Sequence, residues 1–262
     1  GGLDSSTVLL LCQKAVKPDE LTALLMPEKQ GNPKAMNYSY QVCKDFNIQT
    51  LTRDISSVLA HLGSYRFILS RLPFRTTQDW LAKKYFQSKT INPFLKIMQG
   101  QADNLQRKGY SKYMSKHRIR AVVAYLIAEE NNLLVVGSAQ KTEKMLGLFV
   151  KFGVDDLADL MPLKNLYRSQ IIPLAKFLKV PNEIIDRTPN PDIIPGVEDK
   201  YRDLLGLPFE IIDLILYGIE HEMSTENIAA QLKLPRRKVQ EIRMLVDQTA
   251  HMRNPSQSVD WE

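Results

Sequence analysis

Two apolar segments separated by a helical segment constrain the fold of this chain more than any other feature. Residues 21–26 form a short apolar run that ends at Pro27, and residues 48–53 form a second one. Between them Asn32 precedes Pro33, which is the order of a helix cap and a first helical residue. A strand, a helix and a strand in this order pair in parallel, because the helix carries the chain back to the same edge. The sequence therefore predicts an α/β fold with a doubly wound parallel sheet.

The same alternation returns further along the chain. Residues 117–130 have the periodicity of an amphipathic helix, and residues 132–137 have the clearest strand pattern. The segment 55–113 interrupts the alternation, so we expect an insertion packed at the edge of the sheet. Its predicted helices lie near residues 56–70, 77–86 and 95–108.

The two ends of the chain are expected to differ in structure. Residues 7–16 are predicted to be helical, so the strand that feeds them is expected upstream of Gly1. After residue 200 only helical patterns occur. We therefore expect an α/β domain at residues 1–200 and a helical C-terminal extension at residues 201–262.

The composition is typical of a folded protein that binds anions. The chain has 262 residues, 44% of them apolar and 24% charged, with a formal net charge of +6. A positive charge favours anionic ligands such as nucleotides. Cys12 and Cys43 have no metal-binding spacing, which favours a reducing, cytoplasmic location. No apolar run reaches the roughly 18 residues of a membrane span, so no membrane association is predicted.

The first six residues, Gly1-Gly-Leu-Asp-Ser-Ser6, indicate a phosphate-binding loop that runs into a helix. The glycines let backbone amides converge on an anion, and Ser5 and Ser6 can cap the helix and bond phosphate oxygens. Asp4 would repel phosphate unless a divalent cation lay between them, which indicates Mg²⁺ on a polyphosphate. The alternative is a Gly-Gly turn followed by an ordinary helix cap.

A second polar loop, at residues 137–143, follows the strand predicted at 132–137 and ends at Glu143. Ligands of open α/β sheets bind in the crevice at the carboxyl ends of the strands. Asp4 and Glu143 from two such loops could hold one Mg²⁺ against a triphosphate.

The C-terminal tail allows two interpretations. Residues 224–246 predict two helices joined near Pro235, which is the outline of a helix-turn-helix. The alternative, which we favour, is an antiparallel helix pair that covers the core. The basic residues on the second helix are Arg236, Arg237, Lys238 and Arg243.

Taken together, these motifs resemble those of the ammonia-dependent NAD synthetases, which belong to the N-type ATP pyrophosphatase (PP-loop) group. The opening loop matches that group's Ser-Gly-Gly-x-Asp-Ser without its first Ser. The more specific matches, in the family's order, are Gly137-Ser-Ala-Gln-Lys-Thr-Glu143, Phe149-Val-Lys-Phe-Gly153, Ala158-Asp-Leu-Met-Pro162, Leu166-Tyr-Arg-Ser-Gln170 and His251-Met-Arg253. The similarity spans nearly the whole chain except residues 55–112.

The resemblance implies a fold and a reaction. The fold would be adenine nucleotide alpha hydrolase-like, with an ATP pyrophosphatase domain at residues 1–200. The nicotinate carboxylate of deamido-NAD would attack the α-phosphorus of ATP, and ammonia would then displace AMP from the adenylate to give NAD. The implied cofactor is Mg²⁺, and the implied partners are deamido-NAD, ATP, ammonia and a second copy of the chain, with no nucleic acid. The helix at 117–130 is one candidate dimer surface, and its complete burial in one subunit is the alternative.

The resemblance also assigns site residues. Asp4, Glu143 and Lys151 would be catalytic, with Asp4 and Glu143 as metal ligands and Lys151 on the departing pyrophosphate. The residues expected to bind ATP or pyrophosphate are Gly1, Gly2, Leu3, Asp4, Ser5, Ser6, Thr142, Lys151, Arg168 and Ser169. The residues expected to bind the dinucleotide are Arg118, Lys141, Asp155 and Asp159.

One loop departs from the family's pattern. Family members have Gly-Asp-Gly-Gly before the Ala-Asp pair, whereas here Gly153 is followed by Val154, Asp155, Asp156 and Leu157, which is one residue longer. Two added carboxylates beside a nicotinate carboxylate would have to point away or meet a cation. Either Asp155 or Asp156 takes the role of the missing Asp, or the loop is remodelled for another carboxylate substrate.

Two other functions stay open at this point. A different PP-loop enzyme would adenylate another carboxylate or a tRNA base. A nucleic-acid-binding protein would use the basic tail, but would leave the two carboxylate loops unexplained.

Overall fold

The computed structural model describes residues 1–66, 77, 80, 81, 84, 93–190 and 196–254, in which helices surround two parallel strands. Strand β1 (Thr22–Leu25) pairs with β2 (Gln49–Thr52), with Thr22 opposite Gln49 and Leu25 opposite Thr52. The helices, in chain order, are α1 (Leu3–Ala15), α2 (Pro33–Asp45), α3 (Ser56–His61), α4 (Pro93–Met98), α5 (Asn104–Glu130), α6 (Lys141–Leu146), α7 (Arg168–Phe177), α8 (Asn182–Ile185), α9 (Lys200–Leu205), α10 (Phe209–Glu220), α11 (Thr225–Leu232), α12 (Arg236–Gln248) and α13 (Ala250–Arg253). Short 3₁₀ helices occur at Pro18–Glu20 and Ser64–Arg66.

The predicted strand–helix–strand unit is confirmed. Helix α2 begins at Pro33, and the side chain of Asn32 accepts a 3.0 Å hydrogen bond from the amide of Lys34. This cap satisfies one of the amides that a helix start leaves without an acceptor. The parallel pairing of β1 and β2 follows, because α2 returns the chain to the same edge.

The sheet is smaller than predicted. In the described residues the segment 132–137 is not a strand, and it meets residues 159–161 through one parallel bridge between Val136 and Leu160. Leu134 is 74% exposed, because no described strand covers it. An apolar run specifies only that a segment favours burial, whereas a strand also needs a partner at hydrogen-bonding distance. The parallel pairing is thus confirmed, and the doubly wound arrangement stays a prediction.

The core has two parts. The first lies between α1, α2, β1 and α7, where Leu10, Val42 and Ile171 are almost fully buried. The second joins α6 to the C-terminal helices and contains Leu146 and Ile212, both fully buried. Up to residue 254, where the described part of the chain ends, the tail is helical as predicted, and it packs on the rest of the chain through this second core. The domain boundary at residue 200 stays a prediction.

The insertion differs from its predicted helices. The helix predicted at 95–108 is wrong: α4 ends at Met98, Gly100 has a φ of +71°, and Asp103 caps α5 by accepting from the amide of Gln106. Helix α5 then runs for 27 residues through the predicted end of the insertion. The first predicted helix is α3, which ends at His61, and residues 67–70 lie outside the described residues. The helix predicted at 77–86 lies largely outside them.

A buried ion pair attaches α5 to the loop after β1. Lys116 Nζ lies 2.6 Å from Glu28 Oε1, and the two side chains are 4% and 3% exposed. The hydroxyl of Tyr65 donates to the other oxygen of Glu28 at 2.7 Å. The loop after β1, the 3₁₀ helix at Ser64–Arg66 and α5 therefore meet at one carboxylate.

The tail forms a helix pair that covers the core. Val239, Ile242 and Leu245 of α12 are buried in the second core. The basic side chains have local partners: Arg236 pairs with Glu226, Arg237 and Lys238 with Glu241, and Arg243 donates to the carbonyl of Met223. The tail helices thus cover the core, as the favoured interpretation requires, and the absence of nucleic-acid binding stays a prediction. No described helix combines the length and the apolarity that a bilayer crossing requires.

Candidate active site

The opening loop is the first turn of a helix. Helix α1 begins at Leu3, and Gly2 precedes it with extended backbone angles of −98° and 169°. The prediction that Ser5 and Ser6 cap a helix starting near residue 7 is therefore wrong. Both lie inside the first turn, where the hydroxyl of Ser5 donates to the carbonyl of Gly2 at 3.2 Å. The first amides of a helix have no acceptor within it and attract anions, so the phosphate-binding role remains open to this turn.

The two glycines at the start of the chain have different surroundings. A Cβ on Gly1 would lie 1.9 Å from the carbonyl oxygen of Ala35, so the contact with α2 requires glycine there. A Cβ on Gly2 would meet nothing within 4 Å. The space beside Gly2 leaves the start of α1 open to a ligand.

Asp4 has an unsatisfied carboxylate oxygen. Its Oδ2 lies 3.6 Å from Nη1 of Arg168, while its Oδ1 is buried without a hydrogen-bond partner among the described residues. A buried carboxylate oxygen without a partner costs free energy, so such a group in a native protein indicates a cation or a ligand. The position of Asp4 Oδ1 thus fits a bound metal.

Glu143 lies in the same region and carries an ion pair that the sequence analysis missed. Its Oε1 contacts Nζ of Lys200, and the two side chains are 13% and 12% exposed. The carboxylate of Asp4 acts electrostatically on both. Asp4 and Glu143 are therefore within electrostatic reach of each other, with Arg168 and Lys200 beside them, and their sharing of one metal stays a prediction.

The protonation of this cluster follows from burial and charge. Burial is the largest single influence on Lys200 and would lower its pKa, but the charges of Glu143, Tyr201 and Asp4 together outweigh it and raise that pKa. Burial raises the pKa of Glu143, and Lys200 opposes the rise. Arg168 is held cationic in the same way, since the charge of Asp4 raises its pKa against burial. The cluster contains two cations and two carboxylates.

Gln140 fixes the start of α6. Its side-chain oxygen accepts from the amides of Thr142 and Glu143 at 2.8 and 3.3 Å, and its amide nitrogen donates to the hydroxyl of Tyr201 at 2.9 Å. Gln140 and Tyr201 are fully buried. The same side chain thus orients Glu143 and ties α6 to α9. Gln is not among the residues that usually cap helices, so the only local signal of this helix start was the acidic Glu143 in its first turn.

A buried hydrogen-bond network lies behind the cluster. Thr142 donates to Asp213 at 2.6 Å and accepts from the amide of Arg168 at 3.0 Å. The other oxygen of Asp213 accepts from the amide of Ser169 at 2.8 Å. Asp213, which the sequence analysis missed, thus holds the starts of α6 and α7 together. The expected contact of Thr142 with ATP stays a prediction, and it requires the hydroxyl to leave these partners.

A cation here would depend on ligands from its substrate. Within residues 1–66, 93–190 and 196–254, no three Asp, Glu, His or Cys side chains converge on one point. Two carboxylates with phosphate oxygens and water would suit Mg²⁺, which keeps several water ligands and binds phosphates.

Lys151 and Arg118 lie together, beside the C-terminal helix α13. Lys151 Nζ donates to the carbonyls of His251 and Asn254 at 2.8 and 3.0 Å. Arg118 donates to the carbonyl of Lys151 through two nitrogens at 3.4 Å each. In this arrangement Lys151 caps the C-terminal helix α13, and its contact with pyrophosphate stays a prediction.

Both added aspartates of the loop at 153–159 meet basic groups, as the sequence analysis required. Asp155 Oδ2 lies 2.7 Å from Nδ1 of His117, and this partner lowers the pKa of Asp155 against the effect of burial. Asp156 contacts Lys144 and accepts from the amide of Phe152. Asp159 accepts from the amide of Val135 at 2.7 Å and from Tyr125 at 3.3 Å, so the structure uses it to hold residues 133–136.

A cavity of about 300 Å³ lies on the other side of α6. Lys141 and Lys144 line it from one face of the helix, since they are three residues apart, whereas Glu143 points elsewhere. Lys141 Nζ lies 2.7 Å from Glu220, which also accepts from Tyr167. The other lining residues are Met145, Asp156, Met161, Lys164, Asn165 and Arg253. With four basic and two acidic side chains, the cavity favours an anion.

Comparison with known proteins gives one consistent result. The family model described as NAD synthase matches residues 1–70 and 75–256. An NH₃-dependent NAD⁺ synthetase of Coprothermobacter proteolyticus is 31% identical over 235 residues, which cover 87% of this chain and 78% of that protein. The NH₃-dependent NAD⁺ synthetase of Thermotoga maritima is 33% identical over 224 residues, covering 84% and 78%.

Solved structures share the fold. An NMN synthetase from Francisella tularensis superposes with a TM-score of 0.70 at 22% identity, covering 99% of this chain and 86% of that one. An NH₃-dependent NAD synthetase from Campylobacter jejuni, solved with a nitrate ion, superposes with a TM-score of 0.67 at 21% identity, with the same coverage. These superpositions show that the chain shares the fold of these two synthetases.

Proposed function

This chain belongs to the NAD synthase family, and from that premise we propose that it is an ammonia-dependent NAD synthetase, a ligase that amidates deamido-NAD at the expense of ATP. A carboxylate oxygen of the nicotinate attacks the α-phosphorus of ATP, and the bond to the β-phosphate oxygen breaks to release pyrophosphate. Ammonia then attacks the carbonyl carbon, the bond to AMP breaks, and one proton leaves with the formation of the amide.

The observation that carries this proposal is the buried cluster beside the start of α1. The amides of the first turn can bind phosphate oxygens, and Arg168 supplies a fixed positive charge next to Asp4. Charge that grows on a departing pyrophosphate is stabilised by such preorganised donors. The chemistry then needs positioning and electrostatics rather than a covalent nucleophile.

Mg²⁺ fits this cluster, and Asp4 and Glu143 would hold it. When bound, the ion would neutralise phosphate charge. Asp4 is the stronger of the two candidates, because its Oδ1 has no hydrogen-bond partner among the described residues.

The cavity on the other side of α6 is our proposed site for the pyridine end of the dinucleotide. Its basic side chains suit an anionic substrate, and Lys141 was expected there from the family resemblance. An α-helix is only about 10 Å across, so the two sites would lie close enough for one substrate to reach both.

The direct test is the release of AMP and pyrophosphate from ATP with deamido-NAD and ammonium, with each reactant omitted in turn. We expect NAD and AMP only when all three are present. The absence of detectable NAD, with ATP binding intact, would refute the proposal. A tRNA substrate would instead give AMP release that depends on RNA.

A second candidate keeps the chemistry and changes the carboxylate. It rests on the loop at 153–159, in which Asp155 and Asp156 occupy positions where the family has glycines. The assay with nicotinate mononucleotide in place of deamido-NAD separates the two, with the Asp155→Gly and Asp156→Gly variants alongside. We expect the unmodified protein to amidate deamido-NAD, since each added carboxylate has a basic partner.

We also propose a homodimer that uses α5. Val122 and Leu126 are 64% and 54% exposed on one side of this helix. Exposed apolar area of this kind marks association surfaces. Sedimentation at micromolar concentration should give a dimer that Leu126→Glu dissociates, whereas Leu214→Glu, on the exposed side of α10, should leave it intact.

A further inference from the structure

The contact between Lys200 and Glu143 places an ammonium where the second carboxylate of the proposed metal site would receive its cation. Lys200 lies at the start of α9, 57 residues from Glu143 in sequence. Both side chains are nearly buried, and Lys200 also lies within the electrostatic influence of Asp4 and Arg168. Neither an exposed lysine nor a distant one could neutralise Glu143 in this way.

The backbone of α9 holds Lys200 in place. Asp199 caps the helix by accepting from the amides of Tyr201 and Arg202 at 2.9 and 3.0 Å. The ring of Tyr201 is fully buried, and its hydroxyl accepts from Gln140. Because Gln140 also caps the helix that carries Glu143, the two backbones are tied together, so displacement of the ammonium would fall to the lysine side chain.

A divalent cation and an ammonium on one buried carboxylate repel each other, because like charges a few ångströms apart interact strongly in such a site. The two carboxylates also differ: Asp4 Oδ1 has no hydrogen-bond partner within the described part of the chain, whereas Glu143 is already neutralised. We propose that Lys200 is a resident counter-ion of Glu143 that competes with the divalent metal, so that metal binding displaces the ammonium from Glu143. The inference rests on the proposed function only for the choice of metal.

The first test measures metal binding without turnover. Mn²⁺ serves as the probe, and its free concentration is followed by electron paramagnetic resonance with the purified protein and a fixed concentration of a non-hydrolysable ATP analogue, with the analogue without protein as the blank. We expect Lys200→Met to bind Mn²⁺ roughly tenfold more tightly than the unmodified protein, since a buried competing charge is removed. Lys200→Arg, which keeps the charge, should not tighten binding, and Glu143→Gln should cancel the gain. Equal or weaker binding by Lys200→Met would overturn the proposal.

A second measurement uses the unmodified protein and does not depend on a variant that folds. Lysine acylation followed by peptide mass spectrometry reports whether each ammonium is protected. Adding Mg²⁺ with a non-hydrolysable ATP analogue should increase the labelling of Lys200. With the analogue alone, when Mg²⁺ is omitted, Lys200 should stay protected. Lys116, in its buried pair with Glu28, is the matched control and should stay unlabelled. Unchanged labelling of Lys200 in all conditions would overturn the proposal.

These readouts separate the inference from the function. A protein that makes no NAD, but in which Lys200→Met tightens Mn²⁺ binding, refutes the proposed function and supports the role of Lys200. A protein that makes NAD, but in which Mn²⁺ binding does not respond to Lys200→Met, supports the proposed function and refutes the role of Lys200.

Discussion

The hydroxyl of Thr142 donates a 2.6 Å hydrogen bond to Asp213. Thr142 belongs to the most specific motif of the chain, and Asp213 lies 71 residues later on α10. The bond couples the proposed nucleotide site to the packing of the C-terminal helices. A change in this buried network should therefore affect stability and the site together.

Asp213→Ala should destabilise the fold. Burial raises the pKa of Asp213, and the hydrogen bonds from Thr142 and Ser169 oppose that rise, so the carboxyl is the acceptor for two donors. Removing it leaves buried donors without acceptors, at a cost of about 2 kcal/mol in the free energy of unfolding. Urea unfolding followed by circular dichroism measures the change. Asp186→Ala, at an exposed carboxylate, is the control, and equal stability of the two variants would contradict the role of Asp213.

Asp4→Asn and Glu143→Gln should each lower turnover while the protein stays folded. Both changes keep the size of the side chain and remove the charge that a metal on the triphosphate requires. We expect at least about a hundredfold loss in the rate of AMP release, in line with the loss of one preorganised electrostatic group. Glu183→Gln on α8 should retain full activity. Near-normal rates in both site variants would rule out their role as metal ligands.

Lys151→Ala distinguishes two roles of one ammonium. If Lys151 stabilises pyrophosphate, ATP–pyrophosphate exchange should fall, and this is the result that we expect from the family resemblance. If Lys151 only caps α13 through the carbonyls of His251 and Asn254, exchange should stay unchanged and the melting temperature alone should fall. Measuring both quantities on the same preparation decides between the roles.

The pair of Glu28 and Lys116 should make the stability of the fold depend on pH in the acid range. Burial would raise the pKa of Glu28, but Lys116 and Tyr65 outweigh it and hold that pKa below its ordinary value. A carboxyl whose folded pKa is depressed stabilises the protein above its unfolded pKa of about 4.3, and this contribution is lost as the pH falls through the lower folded pKa.

Melting temperatures measured between pH 3 and 7, in steps of about one pH unit, test this expectation. Glu28→Gln should flatten the acid side of the profile, because the amide does not titrate. Lys116→Met removes the cation but leaves the carboxyl buried, so it should raise the pKa of Glu28 and reverse the sign of its contribution. An acid profile that is the same in all three proteins would refute the assignment.

Much of the local structure could be predicted from neighbouring residues. Asn32 and Pro33 predict the start of α2, because a cap and a fixed φ act within one turn. The parallel pairing of β1 and β2 follows from the helix between them. By contrast, the strand predicted at 132–137 was wrong for the described residues, since pairing depends on what lies beside a segment and not on its own apolar pattern.

The sequence by itself determined the motifs of the site: the glycines before α1, the carboxylates Asp4 and Glu143, and the family to which their order belongs. Only the tertiary structure decided what surrounds them. Lys200 reaches Glu143, and Asp213 reaches Thr142, across 57 and 71 residues. Helix caps and glycine turns act through residues that are neighbours in sequence, so they leave a local sequence pattern. Buried ion pairs act through space, so their partners are fixed by how α9 and α10 pack on α6, which no local spacing records.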